Sequence, residues 1–140
     1  MLYLDTSLLV AALTKEAETE RMQQWLAEQD PDDLAISDCV VTEFSAALSF
    51  KLRTGGIEAA HRADALGMFT RLCSDSFIVM LVSRGQFRLA ARFADQYALG
   101  LRAGGALHLA ICAEQGATLC TLDRRQAEAA SELGVKTSLL

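Results

Sequence analysis

One proline and nine glycines among 140 residues are too few for a disordered or low-complexity chain. No C-x-x-C pair occurs. Cys39, Cys73, Cys112 and Cys120 stand far apart among apolar neighbours and read as buried free thiols rather than zinc ligands or disulfide partners. No apolar run approaches the ~18 residues of a membrane span. The opening MLYLDTS carries an acid at Asp5 and no basic leader, so a soluble, cytoplasmic protein is expected, with no membrane partner. No repeat of solenoid period and no linker divides the chain. Neither G-x-x-x-x-G-K-[ST] nor G-x-G-x-x-G is present, which excludes nucleotide binding by those loops. No Ser/His/Asp set offers itself either: His61 lies on a polar helix, and His108 sits among apolar residues as a satisfied core histidine would. The net charge of −5 argues against loose, charge-driven binding to nucleic acid, though a carboxylate cluster of a metal-dependent nuclease would itself add negative charge.

What is there is apolar. Hydrophobic residues make up 51%, enough for one domain over residues 1–140 with a sizeable core. Periodicity predicts strands at 2–4, 34–36, 77–82, 118–122 and 135–137. Helices are predicted at 6–15, 17–29, 39–53, 57–73, 86–99, within 101–114 and at 124–133. That alternation predicts an α/β fold, a small, mainly parallel twisted sheet wrapped by helices in three layers. The helix within LRAGGALHLAICAE is apolar nearly all round, as a central buried helix must be, yet its first turn holds Gly104 and Gly105.

In open α/β sheets, ligands bind beyond the carboxyl ends of the strands. Asp5, in YLDTS, and Asp123, in TLDRR, stand there, and Glu43, in VVTEF, lies near the start of its helix at the border of the apolar stripe. Each also has a structural role open to it. Asp5 suits the N-cap of the following helix, Asp123 a capping box with Gln126, and Glu43 an ordinary boundary position. Asp38, in ISDCV, reads as a cap. Together, carboxylates from separate elements form a hard-oxygen set suited to Mg²⁺ or Mn²⁺, not to metals that prefer thiolate or imidazole. Such a site supports metal-assisted phosphodiester hydrolysis. A phosphoacceptor receiver domain is rejected, because Thr6-Ser7 follows Asp5 where an acidic pair would be needed.

YLDTSLLVAAL, ISDCVVTEFSAAL and LRAGGALHLAICAEQGATLCTLDRRQAEAASELGV, in that order and spacing, resemble PIN-domain proteins, specifically VapC-type toxins of toxin–antitoxin pairs. The resemblance implies a PIN-like fold. It also implies an Mg²⁺-dependent endoribonuclease acting on structured RNA, often transfer RNA, with a VapB-type antitoxin as partner and a toxin homodimer. It puts metal-binding and catalytic roles on Asp5, Glu43 and Asp123. Family members carry a further aspartate just before A-L-H-L-A, where this chain has Gly105. The expectation is a retained fold with cleavage strongly reduced; the alternative is a catalytically silent homologue that still binds antitoxin. Arg102, Arg124 and Arg125 flank the expected site and suit phosphate binding or a solvated surface. Helices 6–15 and 39–53 are candidates to form a groove for a partner segment, although core packing explains their stripes as well.

Overall fold

The computed structural model describes residues 1–140. Its sheet is built on short strands: β1 (Leu2–Leu4), β2 (Leu34–Ser37), β3 (Ile78–Met80), β4 (Thr118–Thr121) and β5 (Thr137–Leu139). Every pairing is parallel, in the order β3-β2-β1-β4-β5. Parallel neighbours need a crossover between them, and the helices supply it. These are α1 (Thr6–Leu13), α2 (Thr19–Ala27), α3 (Asp38–Arg53), α4 (Ala59–Asp75), α5 (Arg84–Ala94), α6 (Ala103–Gln115) and α7 (Arg124–Glu132). The result is the expected three-layer α/β/α arrangement. The central strands are covered on both faces, which is why β2 is buried at all four residues and Tyr3 and Leu4 are fully buried in β1. The chain leaves β1 toward β2 on one side and leaves β4 toward β5 on the other. The strand order therefore reverses between β1 and β4, and a crevice opens beyond their carboxyl ends.

Residues Ala106 to Cys112 of α6 are all buried, as an apolar helix without a polar face requires. Each of Leu109 and Ile111, fully buried, contributes on the order of 1.5–3 kcal/mol by leaving water. Gly116, at φ 63°, ends the helix in a left-handed conformation that a side chain would resist. Helix α3 buries Val40, Phe44 and Leu48, and Phe44 stacks on Phe69 of α4 with ring centroids 4.2 Å apart.

Several boundaries differ from the sequence reading. The last strand is 137–139, not 135–137, because the Val135 amide bonds back to Ala130 O (2.8 Å) after Gly134 turns at φ 69°; Val135 closes α7. Helix α5 stops at Ala94, and Tyr97–Leu99 forms a separate 3-10 turn. Asp38 is not a cap: Ser37 holds the N-cap position, and Asp38 lies in the first turn of α3. The facing stripes of α1 and α3 are core, with Leu8, Leu9, Val40, Phe44 and Leu48 buried. One open groove lies instead between α1, α2 and α4, along Leu13, Gln23, Ile57, Ala65 and Met68.

Candidate metal centre

The crevice is a cavity of about 430 Å³ that brings together Asp5, Glu43 and Asp123 from three separate elements. Asp5 follows β1 directly and is held there by pairing, its amide bonded to Cys120 O (3.1 Å). It is the N-cap of α1: Oδ1 accepts from Ser7 N (2.5 Å). Oδ2 accepts from Ser7 Oγ (3.1 Å) and from the Thr121 hydroxyl. A carboxylate has about four lone-pair positions. Three donors therefore fix Asp5 and leave one position, so the capping role and a place in the cavity are compatible.

The Thr121 hydroxyl also accepts from Asp123 N (2.9 Å), tying the loop after β4 to Asp5. Asp123 caps α7, with Oδ1 accepting from Arg125 N (2.9 Å) and Gln126 N (3.2 Å). Both bonds fall on one oxygen, which leaves Oδ2 unbonded. The predicted capping box is absent, since Asp123 N goes to Thr121 rather than to Gln126.

Glu43 reaches the cavity from the second turn of α3. Its Oε2 accepts from Thr6 Oγ1 (2.5 Å) and from His108 Nε2 (2.7 Å). A carboxylate cannot donate, so Nε2 carries the hydrogen. The other ring nitrogen, Nδ1, lies 2.8 Å from Tyr3 OH, itself 2.7 Å from Ser37 Oγ. His108 is thus the satisfied, buried histidine the sequence suggested, and one of its partners is a site residue. Burial pushes the Glu43 carboxyl up, but hydrogen bonding and charge from His108, with hydrogen bonds from Thr6 and Cys39, outweigh it and hold the group below its ordinary range. Burial, then the charge of Glu43, push the Cys39 thiol up to about 11.

The two glycines of α6 differ in kind. A Cβ at Gly104 would overlap Oε1 of Glu43, so the absence of a side chain there is what lets the carboxylate approach the helix. Gly105 is under no such constraint. A Cβ there would meet only Leu101 Cδ2 at 3.7 Å and Gln126 Nε2 at 4.0 Å. Gln126 is 7% exposed, and its Nε2 has no hydrogen-bond partner. A buried amide donor left without an acceptor costs roughly 1–3 kcal/mol, and it sits beside the position where an acceptor at residue 105 would be.

Arg102 and Arg125 line the cavity; Arg124 does not. The sequence reading missed Ser7, Thr6 and Thr121 as supports. The first two were legible as hydroxyls just after Asp5 in D-T-S, but Thr121 matters only because β4 lies beside β1. It also placed all four cysteines among apolar residues, whereas Cys39 Sγ is one of three ligand-type atoms, with those of Glu43 and His108, lying within 4.8 Å of one another.

The PIN-domain profile matches residues 2–132. No curated protein matches the sequence. Among solved structures, FitAcB from Neisseria gonorrhoeae superposes with a TM-score of 0.73 at 19% identity, covering 98% of this chain and 96% of that one. VapC20 from Mycobacterium tuberculosis, described as a sarcin-ricin loop cleaving toxin, gives 0.73 at 17% identity and 96% coverage of both chains. VapBC2 from Rickettsia felis, bound to a DNA fragment from its promoter, gives 0.66 at 17% identity, covering 100% of this chain and 99% of that one.

Proposed function

This chain belongs to the PIN-domain family, and from that premise we propose that it is the toxin of a VapBC-type toxin–antitoxin pair, an endoribonuclease whose metal site is impaired at Gly105. The observation that carries the reading is the convergence of Asp5, Glu43 and Asp123 on one cavity beside an unpartnered Gln126 amide. The donors are carboxylate oxygens, one of them unbonded on Asp123, and that set fits a hard cation such as Mg²⁺ or Mn²⁺. Asp5, Glu43 and Asp123 would hold it. When bound, such an ion lowers the pKa of a coordinated water and neutralises charge building on a phosphodiester.

The chain's own residues do the rest. Ser7 and Thr121 fix the Asp5 carboxylate, and Thr6 and His108 fix that of Glu43, so neither rotates away from the cavity. Arg102 and Arg125 present guanidinium groups at the cavity wall, where they can hold RNA phosphates. Gly105 supplies no oxygen. A water in its place brings no charge and cannot fix an ion's position, so cleavage is impaired while the fold, with room at 105, is not.

Gly105 also favours a second reading, a silent toxin homologue that retains antitoxin binding. In either case the partner is a VapB-type antitoxin, by likeness to VapBC2, and a toxin homodimer is part of the proposal. The test is Mg²⁺-dependent cleavage of structured RNA, transfer RNA included, by this chain and by Gly105→Asp. Outer-shell metal-site changes alone cost roughly 10- to 100-fold, and the restored carboxylate is expected to raise the rate by at least that much. Equal, measurable rates would overturn the impairment. No cleavage by either would leave the silent binder, and calorimetric titration with Mn²⁺ would then show no uptake.

A further inference from the structure

The side chain of Glu43 is a wall between two cavities. On one side is the acidic cleft with Asp5 and Asp123; on the other is an apolar groove of about 430 Å³ along Phe87, Ala90, Ala94 and Leu107. Cys39 opens onto that second groove, one helical turn before Glu43 on the same face of α3. Ligand atoms of Cys39, Glu43 and His108 lie within 4.8 Å of one another. The acidic cleft draws on Glu43 and is lined by His108, which holds that carboxylate, but it makes no use of the Cys39 thiol, which faces the groove.

We propose that Cys39, Glu43 and His108 form a second cation site, for a borderline divalent ion and Zn²⁺ above all, entered from the apolar groove. One thiolate, one imidazole and one carboxylate are three of the four ligands of a tetrahedral zinc, and the groove side leaves the fourth position for water. At bond lengths of about 2.0–2.3 Å, tetrahedral zinc ligands stand some 3.3–3.7 Å apart. Glu43 Oε2 and His108 Nε2, at 2.7 Å, must therefore move slightly apart to admit the ion, while Cys39 Sγ, within 4.8 Å of its partners, has at most a small distance to close. Thiolate and imidazole together select against Mg²⁺, which the acidic cleft suits.

The support behind the histidine is already built. A metal-ligating imidazole usually hydrogen-bonds through its other nitrogen, and Nδ1 of His108 has Tyr3 OH at 2.8 Å. Without metal, Nε2–H donates to Glu43 and Nδ1 accepts from Tyr3. With metal, Nε2 loses its proton to solvent, Nδ1 takes one up and donates to the Tyr3 oxygen, and the Tyr3 hydroxyl turns to Ser37 Oγ. The net proton released is that of the Cys39 thiol. No oxidant or co-reactant enters, and Glu43 is withdrawn from the cleft that holds Asp5 and Asp123.

The proposal does not depend on RNA cleavage. Co²⁺, a spectroscopic stand-in for Zn²⁺, is titrated into the whole protein, into Cys39→Ser and into Asp123→Asn. The expected result is thiolate-to-cobalt charge-transfer absorption saturating at one equivalent, lost in Cys39→Ser and kept in Asp123→Asn. Absence of that band in the unaltered chain, or its survival in Cys39→Ser, would overturn the site. A measurement on the unaltered chain covers a variant that fails to fold: one equivalent of Zn²⁺ should protect Cys39, located by mass spectrometry, from alkylation at least tenfold. An unchanged alkylation rate would count against the site as decisively.

Discussion

Adjacent glycines in one helical turn have opposite reasons to be there. At Gly104 the Glu43 carboxylate occupies the space of a Cβ, so Gly104→Ala must push Glu43 aside or shift the helix. The expected cost is about 1–3 kcal/mol, offset by up to ~1 kcal/mol of helix propensity. Gly105→Ala meets only ordinary contacts and should stabilise by up to about 1 kcal/mol. Urea denaturation of the two variants reads the difference, and equal shifts would mean that Glu43 does not press on α6. The sequence singled out Gly105, by the family's aspartate, but gave no reason for Gly104, whose neighbour Glu43 lies 61 positions earlier in the chain. Asp5, Glu43 and Asp123 were legible because strand ends and a helix start are local features. The partnership of Glu43 with His108, 65 residues away, was not, because it exists only once α3 and α6 approach.

Among the helices, α5 shows what local rules give and where they stop. Its start carries a full capping box, Ser83 Oγ accepting from Gln86 N (3.1 Å) and Gln86 Oε1 accepting from Ser83 N (2.9 Å). Ser83→Ala should cost about 1 kcal/mol in thermal or urea unfolding. A change of a few tenths or less would show that packing of Gln86, itself buried, holds this end unaided. The sequence put the start of α5 at Gln86 and missed the two residues before it. It also carried the helix to Leu99, since nothing before Gly100 in FADQYALG forbids another turn. Strand β5 slipped by two residues for a related reason. Val135 is β-branched and buried, as a strand residue would be, but its amide is spent on the end of α7. Lys51, in the last turn of α3, pairs with Glu16 at 2.7 Å and joins α3 to the loop after α1, a contact no local pattern shows.

Across the whole molecule, the alternation of strands and helices was enough to give the layers. The order β3-β2-β1-β4-β5 was not written in any one segment, and it is that order which puts the loops after β1 and β4 side by side. With a net charge of −5, the proposed function requires RNA to be held locally, by the two guanidiniums that line the cleft. Arg102→Ala and Arg125→Ala are each expected to weaken RNA retention and to lower the salt dependence of binding by about one unit of slope. Arg124→Ala, outside the cavity, should do neither. Filter binding over a range of salt concentrations measures all three, and an equal effect of Arg124→Ala would move the RNA path off the cleft.

Thr121 bonds to Asp5 across 116 residues of chain. A polypeptide emerging from the ribosome would carry Asp5 long before β4, yet could not complete this crevice until β4 and the loop after it had also come out. The crevice is thus assembled late, from segments made far apart in time.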